Sequence, residues 1–354
     1  QQGTSADRTD IEVAINEKPT GELNFGAGFS TTDGALGNVS IRERNLLGKG
    51  QDLRLSLQRS SRGTQIDLGF TEPYFMGKDI AAGFDLFNIS YDQESESSYD
   101  SQTQGGTLRA SYSIMEHLRH SVRYSYKTVD ITGVDTDAST FVQQQAGENS
   151  TSLIGHTLLY DRRDNKFSPS DGYFISFSQD LTGLGGDSSY FKNELRSGYY
   201  HPVYRDDVIF NMILRAGNVI GHSSENVRIN ERYFIGGNSI RGFKNAGIGP
   251  RDSSTTDALG GNSYYVTTAE LSFPVGLPEE LGFKGGIFVD AGSLFDVDDT
   301  GATVQDEDSL RASVGVGLSW TSPLGPIRID FASALLKEEF DKTQNVRFNF
   351  GTRF

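Results

Sequence analysis

Val346-Arg347-Phe348-Asn349-Phe350-Gly351-Thr352-Arg353-Phe354 alternates without a break. Val346, Phe348, Phe350, Thr352 and Phe354 share one face, and Arg347, Asn349, Gly351 and Arg353 share the other. A period of two is that of a β-strand, and a Phe-rich face is one that touches something apolar. The same alternation recurs upstream: Val314, Val316, Leu318 and Trp320 oppose Ser313, Gly315, Gly317 and Ser319, and Leu53, Leu55 and Leu57 oppose Asp52, Arg54, Ser56 and Gln58. Ile327, Ile329 and Phe331 oppose Arg328 and Asp330, while Leu23, Phe25, Ala27 and Phe29 oppose Asn24, Gly26, Gly28 and Ser30. One such strand also fits a soluble sandwich, so the connections must decide.

About sixteen strands are expected, beginning near 22, 36, 51, 64, 79, 101, 117, 151, 172, 189, 207, 259, 283, 309, 325 and 345. Connections of one parity are short, such as Glu72-Pro73-Tyr74-Phe75, Met115-Glu116 and Ser322-Pro323-Leu324-Gly325. Those of the other parity are long and polar: Asp92 to Ser98, Val129 to Ser150, Gly221 to Ala258 and Asp296 to Asp308. An even strand number with short turns at one end and long loops at the other predicts an all-β fold, a 16-stranded antiparallel transmembrane β-barrel in the bacterial outer membrane.

Composition agrees. Mean hydropathy is -0.43, and no window approaches the roughly 18 to 20 apolar residues of a membrane helix, but barrel strands average to a soluble-looking value because half of each faces water. The formal charge of -15 argues against nucleic acid, which wants the opposite sign. No Cys occurs among 354 residues, which fits passage through an oxidising compartment without disulfides. No signal peptide is visible at Gln1, which reads as a mature or truncated chain. Residues 1–20 differ from the rest. Ile11, Val13 and Ile15 alternate with Glu12, Ala14 and Asn16 before Glu17-Lys18-Pro19 breaks the run, like the last strand of a separate soluble module, leaving 21–354 to the barrel.

The long connection carries Tyr233-Phe234-Ile235-Gly236-Gly237-Asn238-Ser239-Ile240-Arg241-Gly242-Phe243. It is too apolar for a solvated tail and too Gly-rich for a helix, so it is expected to fold back into the lumen. Arg241 would then lose water and require carboxylates. Parity supplies two: Ile287, Val289 and Ala291 face lipid, so Asp290 faces in, and Leu271 and Phe273 face lipid, so Glu270 faces in one strand away. An Arg between two inward acids is a latch.

Enzyme and metal readings find little. His117 and His120 are three apart, which on a strand puts the rings on opposite faces. Asp296, Asp298 and Glu307 supply acids at positions 1, 3 and 12 of an EF-hand-like loop with Gly301 at position 6. The flanks read as strands, not helices, which favours an acidic solvated loop and leaves a weak Ca²⁺ candidate. With no phosphate loop and no plausible Ser/His/Asp or Cys nucleophile, no enzyme, cofactor or firm metal site is expected.

Taken together, these motifs resemble those of the polypeptide-transport barrel superfamily. Ile240-Arg241-Gly242-Phe243 is similar to the (V/I)RGF motif of that superfamily's sixth extracellular loop, and Phe288-Val289-Asp290-Ala291-Gly292 to its partner motif on the thirteenth strand. Glu17-Lys18-Pro19-Thr20-Gly21-Glu22-Leu23-Asn24-Phe25-Gly26, Glu43-Arg44-Asn45-Leu46-Leu47-Gly48-Lys49-Gly50 and Glu72-Pro73-Tyr74-Phe75 are similar to the branch that forms the central barrel of outer-membrane assembly machineries. The resemblance runs from about residue 8 to Phe354.

It implies that residues 1–20 end the last periplasmic POTRA domain, the others being absent. It also implies a barrel that takes unfolded outer-membrane proteins from the periplasm and inserts them through a lateral gate between its first and last strands. Leu23, Asn24, Phe25, Gly26 and Gly28 would form one side of that gate, and Phe348, Asn349, Phe350, Gly351 and Phe354 the other. Interior glycines weaken a strand, and Gly351 is placed where a bend could unzip pairing. The partners implied are those clients, outer-membrane lipid and lipopolysaccharide, and machinery lipoproteins docking through the missing POTRA domains. Two alternatives stay open: a related polypeptide-secreting or translocation-module barrel, and a passive diffusion porin.

Overall fold

The computed structural model describes residues 19–205, 207–222, 226–323 and 325–351. Sixteen strands among them close an antiparallel barrel, each pairing with its neighbours in sequence. They are β1 Gly21–Ser30, β2 Gly34–Leu46, β3 Gln51–Ser60, β4 Gly63–Glu72, β5 Ala81–Asp92, β6 Asp100–Met115, β7 Leu118–Thr132 and β8 Gly147–Asp161. The circuit continues with β9 Gly172–Gly186, β10 Tyr190–Tyr204, β11 Val208–Gly221, β12 Ser263–Pro274, β13 Phe283–Phe295, β14 Arg311–Ser322, β15 Gly325–Leu336 and β16 Val346–Phe350. The soluble fragment expected over residues 1–20 falls almost wholly on 1–18, and Phe354 on 352–354, both outside the described residues.

Alternation decides which way each side chain points. Leu55, Leu86, Ile287 and Val316 stand exposed on the outer wall, where hydrocarbon replaces water as their solvent. No helix among the described residues is long and apolar enough to cross a membrane. The inner wall carries ion pairs such as Arg42–Asp52, Arg109–Asp85 and Arg123–Asp180. On the inner face of β14 the residues are small, Ser313, Gly315 and Gly317. Space is the reason: a Cβ on Gly317 would lie 2.5 Å from Asp330 Oδ1, and one on Gly315 would strike the Phe288 ring.

The longest connections, 133–146, 222–262 and 296–310, gather at one end of the barrel, although that end also carries the two-residue turn between β3 and β4. There Tyr99, Val129, Ile131, Val142, Ile229 and Leu259 form an apolar cluster that ties the loops together over the barrel. The wall is not uniform. β6 has 16 residues, while β16 has five, so among the described residues the shortest wall strand is the one beside β1.

Candidate functional site

Two places combine unusual geometry with the residues singled out above: the loop between β11 and β12, and the junction of β1 with β16. The loop enters the lumen by burying apolar groups. Ile240 and Phe243 are fully buried with Ile235, Ile248, Val266 and Leu294. Gly242 has φ +91°, a conformation that disfavours a side chain, and a Cβ there would meet Ser313 Cβ at 3.1 Å. Its backbone therefore approaches β14 closely. Gly242 and Phe243 also pair antiparallel with Gln344 and Thr343, just before β16.

That placement aims Arg241 at the inner wall. Its backbone N–H donates to Asp290 Oδ2 at 2.9 Å, its Nε to the same oxygen at 2.8 Å and its Nη2 to Asp290 Oδ1 at 2.8 Å. Nη1 donates to Glu270 Oε2 at 2.7 Å. The guanidinium carbon lies 3.3 Å from the centroid of the buried Phe288 ring, which adds a cation–π face to the bidentate fork. Burial works against the charge, but the hydrogen bonds and charges of Asp290 and Glu270 outweigh it and hold the guanidinium above its usual range.

Two further residues join them. Arg328 Nη2 donates to Glu270 at 3.0 Å and its Nε to Asp330 at 3.0 Å, and Asp330 stands 3.7 Å from Arg241 Nη1. Two cations face three carboxylates across β12, β13 and β15, a formal balance of -1. Sequence reasoning placed Arg328 and Asp330 on the inner face but did not bring them to this cluster.

At the junction, all ten residues of β1 pair with β2, whereas its pairing with β16 is Phe29 opposite Phe350 and Ser30 opposite Asn349. Thr31 then takes over from the strand: its N–H donates to Phe348 O at 3.0 Å, and the Phe348 N–H donates to its hydroxyl at 2.8 Å. Leu23, Asn24, Phe25 and Gly26 have no partner in β16 among the described residues. Asn24 lies opposite Ser40 of β2, so Asn24 and Asn349 are not neighbours. Gly351 has φ +130° and packs against Gly28, where a Cβ would come within 2.8 Å of the Gly28 Cα. Its N–H still donates to Pro326 O at 3.1 Å, keeping it on the β15 side.

Arg347 links the two places, and sequence reasoning missed it. From β16 its Nη1 donates to Thr32 in the β1–β2 turn at 2.8 Å and to Asn238 at 3.4 Å. Its Nη2 donates to Phe243 O at 3.3 Å and to Gln344 at 2.9 Å. This one guanidinium spans loop, turn and last strand at once.

The acidic loop after β13 does not gather its acids. Asp296 faces Ser263, Asp298 accepts from the Val227 N–H, and the Glu307 carbonyl accepts from Arg311. Among the described residues no three His, Asp or Glu side chains come together as a metal site. His117 sits in a turn with φ +66°, and His120 lies on β7.

Comparison with known proteins fits this geometry. Residues 45–354 match the family described as the Omp85 superfamily domain. The outer membrane protein assembly factor BamA of Neorickettsia risticii (strain Illinois) is 36% identical over 97% of the chain, which spans 46% of that protein. The sorting and assembly machinery component 50 homolog of Mus musculus is 25% identical over 80% of the chain and 60% of its own length. Among solved structures, BamA from Haemophilus ducreyi lacking POTRA domains 1-3 superposes with a TM-score of 0.86 at 23% identity, over 96% of this chain and 71% of that one. The chain thus spans about half the length of the bacterial assembly factors it matches.

Proposed function

The chain belongs to the Omp85 superfamily, and from that premise we propose that it is the barrel of an outer-membrane protein assembly factor. It takes unfolded β-barrel clients from the periplasm and passes them into the bilayer through the β1–β16 junction. The observation that carries this reading is the contrast, among the described residues, between ten paired residues on one side of β1 and two on the other. A strand edge with free N–H and C=O groups is a template for another chain. Main-chain hydrogen bonds are indifferent to side-chain sequence, so one edge serves many clients.

Ile240, Arg241, Gly242 and Phe243 act with Glu270 and Asp290 as a latch that holds the loop against the wall. Leu23, Asn24, Phe25, Gly26 and Gly28 form one lip of the gate, and Phe348, Asn349, Phe350 and Gly351 the other. No covalent bond need be made or broken in such a transfer. Residues 1–20 would end the last POTRA domain, through which machinery lipoproteins dock, while lipid and lipopolysaccharide surround the wall. The loop packed into the lumen argues against a passive diffusion pore.

The test is a lock. Antiparallel ladders alternate hydrogen-bonded and closer, non-hydrogen-bonded pairs. Thr31 and Phe348 are bonded, so Ser30 and Asn349 form a close pair suited to a disulfide. Ser30→Cys with Asn349→Cys, oxidised in the full-length protein, should abolish client assembly, and reduction should restore it. The absence of native Cys leaves no competing thiol in this chain. Undiminished assembly by a fully crosslinked protein would reject the junction as the route.

A further inference from the structure

The outer wall carries a row of polar side chains that assembly through β1 and β16 does not use. Near the short-turn rim, Tyr112, three residues before the end of β6, has its hydroxyl 2.8 Å from His120 Nδ1 on β7. The His120 ring stands edge-on to His156 on β8, centroids 5.4 Å apart. His156 Nε2 is 3.1 Å from Gln179 Oε1 on β9, and Gln179 Nε2 donates to Asn193 Oδ1 on β10 at 2.8 Å. Asn193 lies directly opposite Asn218 of β11, whose Nδ2 donates to Ser263 on β12 at 2.7 Å.

Parity puts this row on the lipid side. Gln179 lies between Phe177 and the exposed Leu181, His156 between the exposed Ile154 and Leu158, and Asn218 beside the exposed Ile220. The row also climbs. His156 is five residues from the short-turn end of β8, Gln179 is the middle residue of the fifteen in β9, and Ser263 is the first residue of β12 at the long-loop end. Barrel strands are tilted, so a line drawn through directly opposed residues rises across the membrane. Outward positions such as Ile41, Leu55, Val289 and Val316 are apolar.

We propose that this row is a path for phospholipid headgroups across the bilayer, so that the barrel exchanges lipid between leaflets. A headgroup meets a prohibitive step when it leaves water with its polar groups unpaired. The row offers imidazole, amide and hydroxyl partners at successive depths. It contains no Asp, Glu, Lys or Arg to trap a headgroup midway. Its rim-to-rim course fits transit better than a compact docking patch. One member, His156 Nδ1, has no hydrogen-bond partner.

The test uses the full-length protein in phosphatidylcholine and phosphatidylglycerol vesicles containing a fluorescent phosphatidylcholine. Albumin added outside extracts the probe from the outer leaflet and is too large to pass the lumen. With the native protein the inner-leaflet probe should become extractable much faster than in empty vesicles. The triple variant His156→Leu, Gln179→Leu, Asn193→Leu should slow this about tenfold, equivalent to roughly 1.4 kcal/mol of barrier. Client assembly should stay at the native rate, since these residues lie on the wall away from β1 and β16. If the triple variant fails to give a folded barrel, Gln179→Leu and Asn193→Leu are measured singly, and each should slow extraction. Extraction with native protein no faster than in empty vesicles would overturn the proposal, as would folded variants that exchange lipid at the native rate.

Discussion

Replacing Arg241 by Ala tests whether charge holds the loop in the lumen. The substitution removes three side-chain hydrogen bonds, two of them to Asp290. Glu270 keeps Arg328 as its cation. Asp290 keeps only the backbone N–H of residue 241, so it becomes the orphan. Removing one partner of a buried pair costs about 3–5 kcal/mol. At 1.36 kcal/mol per decade, backbone hydrogen exchange over residues 235–243 should accelerate by roughly two to four orders of magnitude. Mass spectrometry on the full-length protein in nanodiscs would read this peptide directly. The double variant Arg241→Ala, Asp290→Asn removes the orphan charge and should recover a large part of the protection, because most of the loss is an unpaired carboxylate rather than a missing contact. Unchanged exchange in Arg241→Ala would refute the electrostatic latch and leave burial of Ile240 and Phe243 as the anchor. A double variant as labile as the single one would refute the orphan-charge account.

Arg347→Ala should loosen two segments together, because one guanidinium holds both: exchange should rise about tenfold or more at Asn238–Phe243 and at the β1–β2 turn, the worth of losing bonds from a charged donor. A change confined to one segment would deny the coupling. Asp164, in the turn between β8 and β9, accepts from the Ser170 hydroxyl and from the Asp171 and Ser170 N–H groups, which lower its pKa from 3.8 to about 2. A depressed carboxyl stabilises the turn above its unfolded value and loses that support as pH falls through the folded one. Protection within residues 164–171, taken relative to the intrinsic exchange rate at each pH, should therefore fall between pH 4 and pH 2 in the native protein, and Asp164→Asn should lack that step.

Strand count and position were legible because the lipid imposes alternation on every strand. The inner face of β14 shows why: Ser313, Gly315 and Gly317 are small because Phe288 and Asp330 need the room, and small residues against Val, Leu and Trp make a clear period. Arg241, Asp290 and Glu270 were legible for a related reason, since parity alone says which acids face in. Arg328 and Asp330 obeyed the same parity. Whether they reach the height of Arg241, however, depends on register across β13, β14 and β15, which no single strand encodes. Arg347 left no local signal, because its partners lie in three segments far apart in sequence, and the outward polar row becomes visible only when seven strands are laid side by side.

The loop and the junction hold the last strand by different means. β16 pairs with β15 through five residues, Val346 to Phe350, and is fastened to the loop by Arg347 and by the pairing of Gly242 and Phe243 with Gln344 and Thr343. β1 is fastened to β2 through its whole length. Parting the junction would break the two register pairs and the Thr31–Phe348 bonds while leaving both strands backed by stronger ladders. In water a handful of hydrogen bonds is worth about 1 kcal/mol each. In hydrocarbon every freed N–H and C=O costs several kcal/mol until it is paired again. The junction is therefore held shut chiefly by the lipid, and whatever brings a new strand to β1, or thins the bilayer beside it, lowers the barrier most. On the proposed function, the same physics that closes the barrel would make a client's own backbone the most effective agent for opening it.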